Sequence, residues 1–227
     1  MPQKSFLFHQ VTIALKVFAM SNVGFKVSEA LEFEIPSWEQ IYEMLLNLAD
    51  RIRKDKCKPD IIVGVSRGGW APARVMSDLL ENPQIANVKA EFYKGVAETK
   101  GEPVITQPVS MPVKGKKILV MDDVADTGQS LRKVRSHLFE QGATDVKIAS
   151  IYYKPWSVTL PDYFEKETKK WVIFPWERKE TVRNVLEKYE RQGKSIEEAK
   201  EKLVKSGFNR KLVERFIQEI HEGKEEK

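Results

Sequence analysis

Residues 118 to 131 read Ile-Leu-Val-Met-Asp-Asp-Val-Ala-Asp-Thr-Gly-Gln-Ser-Leu. Ile118 to Met121 is a short continuous apolar run, as expected of a strand buried on both faces of a parallel sheet. Asp122 and Asp123 fall at its carboxyl end, where open α/β sheets bind ligands. Thr127, Gly128, Gln129 and Ser130 then open a helix whose apolar positions include Leu131, Val134 and Leu138. Such a turn offers backbone N–H groups and hydroxyls to an anion, and Gly128 lets the backbone approach closely. The cradle suits a terminal phosphate, whereas the adjacent carboxylates would repel one and suit hydroxyls or a metal. A phosphorylated sugar meets both demands. The stretch matches neither a Walker loop nor a G-x-G-x-x-G dinucleotide turn; its bland reading is a strand-turn-helix with solvated Asp residues.

Outward from this stretch the same alternation repeats. Ile61 to Val65 is a second buried strand, followed by Ser66-Arg67-Gly68-Gly69 and a helix from about Pro72 to Leu80. This loop is a second anion cradle, with two glycines freeing the backbone and Arg67 supplying positive charge. Strand-like segments recur near Val88 to Tyr93 and Val146 to Tyr152. Pro36-Ser37-Trp38-Glu39-Gln40 starts a helix, Ser37 and Gln40 forming a capping box, and Ile41, Leu45, Leu48 and Ile52 keep helical spacing. Strands alternating with helices predict an α/β fold, a parallel sheet flanked by helices with right-handed crossovers. Between Lys94 and Pro108 the chain is either a hairpin or a lid over the site.

After Trp176 the texture becomes helical. Val182, Val185, Leu186 and Tyr189 form one stripe ended by Gly193. Ser195 and Glu198 make a second capping box before Ile196, Ala199 and Leu203, and Asn209 caps a segment bearing Leu212, Val213, Phe216, Ile217 and Ile220. Phe208 and Val213 are placed for a hydrophobic staple. Residues 178–227 are therefore read as a C-terminal three-helix bundle, residues 36–177 as the α/β domain, and 1–35 as an N-terminal segment. Met20 offers an alternative start, which would make 1–19 a disordered leader.

The 227 residues include 38 Lys and Arg against 33 Asp and Glu, a formal charge of +5. That mild excess suits a phosphate-rich substrate without arguing for nucleic acid, and acidic residues interrupt the basic ones throughout the tail. Cys57 is the single cysteine, which forbids an intrachain disulfide and fits a reducing cytoplasm. The apolar segment Phe6 to Phe18 is broken by His9, Gln10 and Lys16, so neither a signal peptide nor a membrane span is expected.

The Asp-Asp-Val-Ala-Asp-Thr-Gly-Gln-Ser string resembles the signature of the type I phosphoribosyltransferases, which bind 5-phosphoribosyl 1-pyrophosphate (PRPP). The resemblance covers residues 36–177 and implies a PRPP site made of Arg67, Gly68, Gly69, Lys100, Asp122, Asp123, Ala125, Asp126, Thr127, Gly128, Gln129 and Ser130. Thr127 to Ser130 would hold the 5-phosphate, Asp122 and Asp123 the ribose hydroxyls, and Arg67 with Lys100 the pyrophosphate. Lys154-Pro155-Trp156 and Trp171 to Glu177 resemble the base-binding hood of bacterial xanthine-guanine phosphoribosyltransferases. That implies Lys154 donating to the purine O6, Trp171 stacking on the ring, and Val172 beside it; the bland reading of Trp171 is a core aromatic. Mg²⁺ is the implied cofactor, with Asp122, Asp123 and Glu177 as its carboxylates. Asp126 is the candidate general base for the purine ring proton.

The resemblance implies an enzyme, a purine salvage glycosyltransferase that assembles as a homodimer. The bacterial enzymes lack the helical tail, which instead resembles that of an archaeal adenine-using branch. The tail therefore favours adenine as the base, giving AMP, while Lys154 favours the alternative of a 6-oxopurine, since an ammonium and the adenine amino group are both donors. A rival of another class is a PRPP-sensing regulator whose tail contacts nucleic acid.

Overall fold

The computed structural model describes residues 32–92 and 101–225. In chain order the elements are β1 (Phe33–Glu34), α1 (Trp38–Lys54), β2 (Ile61–Ser66), α2 (Trp70–Leu79), β3 (Ile85–Phe92), β4 (Pro103–Gln107), β5 (Lys117–Ala125), α3 (Gln129–Glu140), β6 (Asp145–Tyr153), β7 (Tyr163–Glu167), β8 (Trp171–Val172), α4 (Arg178–Arg191), α5 (Ile196–Lys205) and α6 (Arg210–Glu225). The central sheet has the order β4-β3-β2-β5-β6-β7. All its pairings are parallel except β3 with β4.

The continuous apolar runs have the expected cause, burial on both faces. In β5, Leu119 and Met121 join Ile62 and the α1 residues Ile41, Leu45, Leu48 and Ile52 in one core. Ile118 and Val120 point the other way, into a second core with Val63, Val65 and the α3 residues Leu131, Val134 and Leu138. Alternate residues thus serve opposite layers, which is the period-two geometry of a strand applied to a sheet sandwiched between helices.

The capping signals read from the sequence form as expected. Ser37 and Gln40 make a reciprocal box at α1, and Ser195 and Glu198 make another at α5. Asn209 Oδ1 accepts from the Leu212 N–H at 3.1 Å to start α6. The three C-terminal helices surround a core of Val182, Leu203, Phe208, Val213 and Ile220, joined by Ile173, with Phe33 and Ile35 packed against it.

Four strands, β1, β4, β7 and β8, have no counterpart in the sequence analysis. β7, Tyr163-Phe164-Glu165-Lys166-Glu167, is an edge strand whose charged residues mask the periodicity. β4 shows that the stretch after residue 100 forms the returning arm of an antiparallel pair with β3, while residues 93–100, and with them the expected lid tip, lie outside the described residues. β1 pairs in parallel with β8, Phe33 with Trp171 and Glu34 with Val172. Phe33 and Glu34 thus lie beside the strand that carries Trp171. Among the described residues no helix is long and apolar enough to cross a membrane; the segment Phe6 to Phe18 lies outside them.

Candidate active site

The chain leaves β2 for β3 on one side of the sheet and returns to β5 on the other, so β2 and β5 are adjacent and flank the point where strand order reverses. Open α/β sheets bind ligands at that crevice, beyond the strand carboxyl ends. Both anion cradles lie there, one after β2 and one after β5.

The β2 loop presses directly on the acidic strand end. A Cβ on Gly68 would stand 2.0 Å from Oδ2 of Asp123, and one on Gly69 would stand 2.3 Å from the Met121 carbonyl oxygen. Only hydrogen fits at either position. Arg67 is largely exposed, and its Nη2 donates to Glu180 Oε1 at 2.7 Å and Oε2 at 2.8 Å.

Asp122 is half-buried and Asp123 is 8% exposed. Asp122 Oδ1 accepts from the Asp123 N–H at 3.0 Å, and Asp123 Oδ1 accepts from the Val124 N–H at 2.7 Å. Burial pushes the Asp123 carboxyl up to about 6 against these hydrogen bonds. Burial, reinforced by the neighbouring charge of Asp123, pushes Asp122 well above the usual carboxylate range. Glu177 is raised to about 7, first by burial and further by the charges of Asp123 and Glu180, although the Phe174 N–H donates to its Oε1 at 3.2 Å. Buried carboxylates that resist ionisation alone are suited to meeting a cation.

Among the described residues, however, no group of three Asp, Glu, His or Cys side chains converges as a ready-made metal cage.

Gly128, at the N-cap of α3, has φ +74°, and a Cβ there would stand 2.3 Å from Ser157 Oγ and 2.6 Å from the Thr159 nitrogen. Its left-handed conformation and close packing both demand glycine. No side chain caps α3, and the Gln129 N–H reaches Thr127 Oγ1 only at 3.4 Å. The first N–H groups of the helix are thus disposed for an anion. The turn is tied from behind: the Val158 N–H donates to the Thr127 carbonyl at 2.9 Å and Thr159 Oγ1 to the Gly128 carbonyl at 2.8 Å. Ala125 is buried, its N–H donating to Ser150 Oγ at 3.1 Å and its carbonyl accepting from the Lys154 N–H at 3.1 Å. Ser130 is half-buried on the first turn of α3.

Asp126 is exposed, and Oδ1 accepts from Trp156 Nε1 at 3.1 Å. The sequence alone gives Trp156 no role. The available signal was its position in the tight Lys-Pro-Trp turn after β6, but its partner lies 30 residues away.

In the hood, Lys154 is 5% exposed, and Nζ donates to the Lys170 carbonyl and lies 5.5 Å from the Trp156 ring centroid. Burial lowers the Lys154 value, opposed by the charges of Asp126 and Glu34. Lys154 is thus fixed between Asp126 and the strand carrying Trp171. Trp171 is 55% exposed, so its indole face is open rather than part of the core, while Val172 is buried. Trp176 stacks on Phe174 at 4.9 Å, and its side chain meets the Asp123 carboxylate, an interaction that favours the ionised form. Lys100 lies outside the described residues.

A family model described as a phosphoribosyl transferase domain matches residues 34–181. The chain belongs to the phosphoribosyltransferase family. This phosphoribosyltransferase is similar to a xanthine-guanine phosphoribosyltransferase of Gluconobacter oxydans, 26% identical over 66% of this chain and 87% of the relative. One from Nitratidesulfovibrio vulgaris strain Hildenborough is 29% identical over 62% of this chain and 82% of the relative. Among solved structures, a purine phosphoribosyltransferase from Pyrococcus horikoshii is 38% identical, covering 63% of this chain and 93% of its own with a TM-score of 0.58. The relatives place the chain in the purine branch of the family, as an enzyme of glycosyltransferase type. The family match ends at residue 181, so most of α4 and all of α5 and α6 lie beyond it.

Proposed function

We propose that the protein transfers the 5-phosphoribosyl group of PRPP to a ring nitrogen of a 6-oxopurine, releasing pyrophosphate, in purine salvage. The observation that carries this reading is the contact of the β2 anion loop with the acidic end of β5, the strand that leads into the other anion turn, with Gly68 pressed on Asp123. It brings a diphosphate cradle and a phosphate cradle to one crevice with carboxylates between them, the arrangement a sugar phosphorylated at both ends requires.

Residues Thr127 to Ser130 receive the 5-phosphate at the uncapped helix end. Arg67, Gly68 and Gly69 receive the diphosphate. Asp122 and Asp123 face the ribose hydroxyls, and their buried oxygens suit Mg²⁺, which when bound would supply positive charge to the departing diphosphate. As the bond from C1 to the diphosphate oxygen breaks and the bond to the purine nitrogen forms, positive charge grows on the sugar ring, and the adjacent carboxylates stabilise it. Asp126, oriented by Trp156, accepts the purine ring proton. The open face of Trp171 receives the base.

Adenine, the base favoured by the helical tail, is displaced in this reading by the 6-oxopurines. A buried ammonium has donors only, so it complements O6 and opposes an amino group, and the curated relatives carry xanthine and guanine in their names. The test is pyrophosphate release from PRPP and Mg²⁺ with adenine, hypoxanthine, guanine and xanthine in parallel. The expected result is a kcat/KM for at least one 6-oxopurine that exceeds adenine by about 10² or more. Preference for adenine would overturn the base assignment, and no release with any base would overturn the transfer and favour a PRPP sensor.

A further inference from the structure

We propose that Glu180, on the first turn of α4, is a positioning residue for Arg67: it holds the guanidinium when no diphosphate is bound and yields it when one arrives. The inference rests on the reading above, in which Arg67 meets the diphosphate of PRPP or free pyrophosphate.

Arg67 extends from the β2 loop with 76% of its side chain exposed, and among the described residues the hydrogen-bond partner of its guanidinium is Glu180, with the Glu177 and Glu91 carboxylates near enough to feel its charge. Both hydrogen bonds come from Nη2, at 2.7 and 2.8 Å. Nη1 and Nε are therefore left to a second anion. An ion pair at such an exposed place is weak, strong enough to bias a long side chain and weak enough to be displaced. A multiply charged diphosphate that can use the guanidinium fork is a stronger partner than one carboxylate shared on one nitrogen.

Glu180 is not a loose surface group. The next two residues, Thr181 and Val182, are buried, and Val182 lies in the core with Leu203 of α5 and Val213 and Ile220 of α6. Lys179 Nζ bonds Glu219 Oε2 at 2.5 Å, and Glu219 Oε1 accepts from Arg215 Nε at 2.8 Å. Helices α5 and α6, beyond the family match, thus brace the turn that aims a carboxylate at the diphosphate loop. The tail thereby gains a role at the site without touching substrate. Because the two partners compete for one guanidinium, Glu180 weakens diphosphate binding by the fraction of time it holds Arg67 and eases release of the product pyrophosphate.

The test is calorimetry of pyrophosphate with Mg²⁺ on the full chain, as wild type, Glu180→Gln, Arg67→Ala and the double variant, with PRPP kinetics beside it. Glu180→Gln should bind pyrophosphate about two- to fivefold more tightly, the size of an exposed ion pair. Its KM for PRPP should fall by a similar factor while kcat holds or falls, a split that a merely structural role would not produce. In the Arg67→Ala background the same substitution should change nothing, because the effect acts through that side chain. Unchanged or weaker binding by Glu180→Gln would overturn the inference. So would an equal gain in the Arg67→Ala background, which would show simple loss of repulsion. A wild-type protein that binds no pyrophosphate would instead remove the reading of the site, and this inference with it.

Discussion

Gly68 and Asp123, 55 residues apart, are packed so closely that the added carbon of an alanine at 68 would lie 2.0 Å from the Asp123 carboxylate. The loop proposed to receive diphosphate and the strand end proposed to face the ribose are one wall, so a change in either displaces both.

Gly68→Ala should therefore act on stability and binding together. The Asp123 side chain would have to leave the Val124 N–H, at a cost of about 1–3 kcal/mol for an overfilled site. PRPP affinity should fall by about tenfold or more. Thermal melting and calorimetry with PRPP read the two effects, and a variant that binds PRPP as wild type does would show that the loops move independently.

Asp123 should make the unliganded fold less stable at neutral pH than in mild acid. Its folded-state value of about 6 lies above the roughly 3.9 of an unfolded aspartate, so the folded state binds the proton more tightly. That contribution is complete below the lower value and is lost as pH rises through the higher one. Asp123→Asn should then be more stable than wild type at pH 7.5, by on the order of 1–3 kcal/mol, and the difference should shrink toward pH 4. Denaturant unfolding across that range checks it. Activity should fall in the same variant if Asp123 serves the sugar and Mg²⁺ as proposed.

Asp126→Asn should lower turnover by about 10² to 10⁴ with PRPP affinity nearly unchanged. Trp156→Phe removes the indole N–H that orients Asp126 at 3.1 Å and should cost a smaller factor, about threefold to tenfold for one exposed hydrogen bond. Equal losses in the two variants would mean that the indole does more than orient the carboxylate.

Lys154→Met replaces a buried ammonium with an apolar chain of similar length. The hydrogen bond from Lys154 Nζ to the Lys170 carbonyl is lost, at about 0.5–1.5 kcal/mol. The kcat/KM for 6-oxopurines should fall by about 10² or more while that for adenine is little changed or improved. Steady-state kinetics with hypoxanthine and adenine decide it; parallel losses for both bases would assign Lys154 a structural role only.

Much of the architecture was legible because its signals are local. The apolar run of β5, the turn at Gly128 and the capping boxes at Ser37 and Ser195 each involve residues a few positions apart. β7 and β1 were not legible. An edge strand with alternating charges and a two-residue strand carry little periodicity, and their existence depends on the partner beside them.

The order of residues along the chain determined the alternation of strands and helices, the two anion turns and the acidic strand end, since these follow from side-chain periodicity and backbone preference within a single segment. The tertiary structure alone decided that Gly68 meets Asp123, that Trp156 orients Asp126, and that Glu180 reaches Arg67. Those contacts join segments 30 to 113 residues apart, and nothing in the periodicity of one segment specifies which distant segment lies beside it. Strand order and the packing of helices across the sheet specify that, and they exist only once the chain has folded.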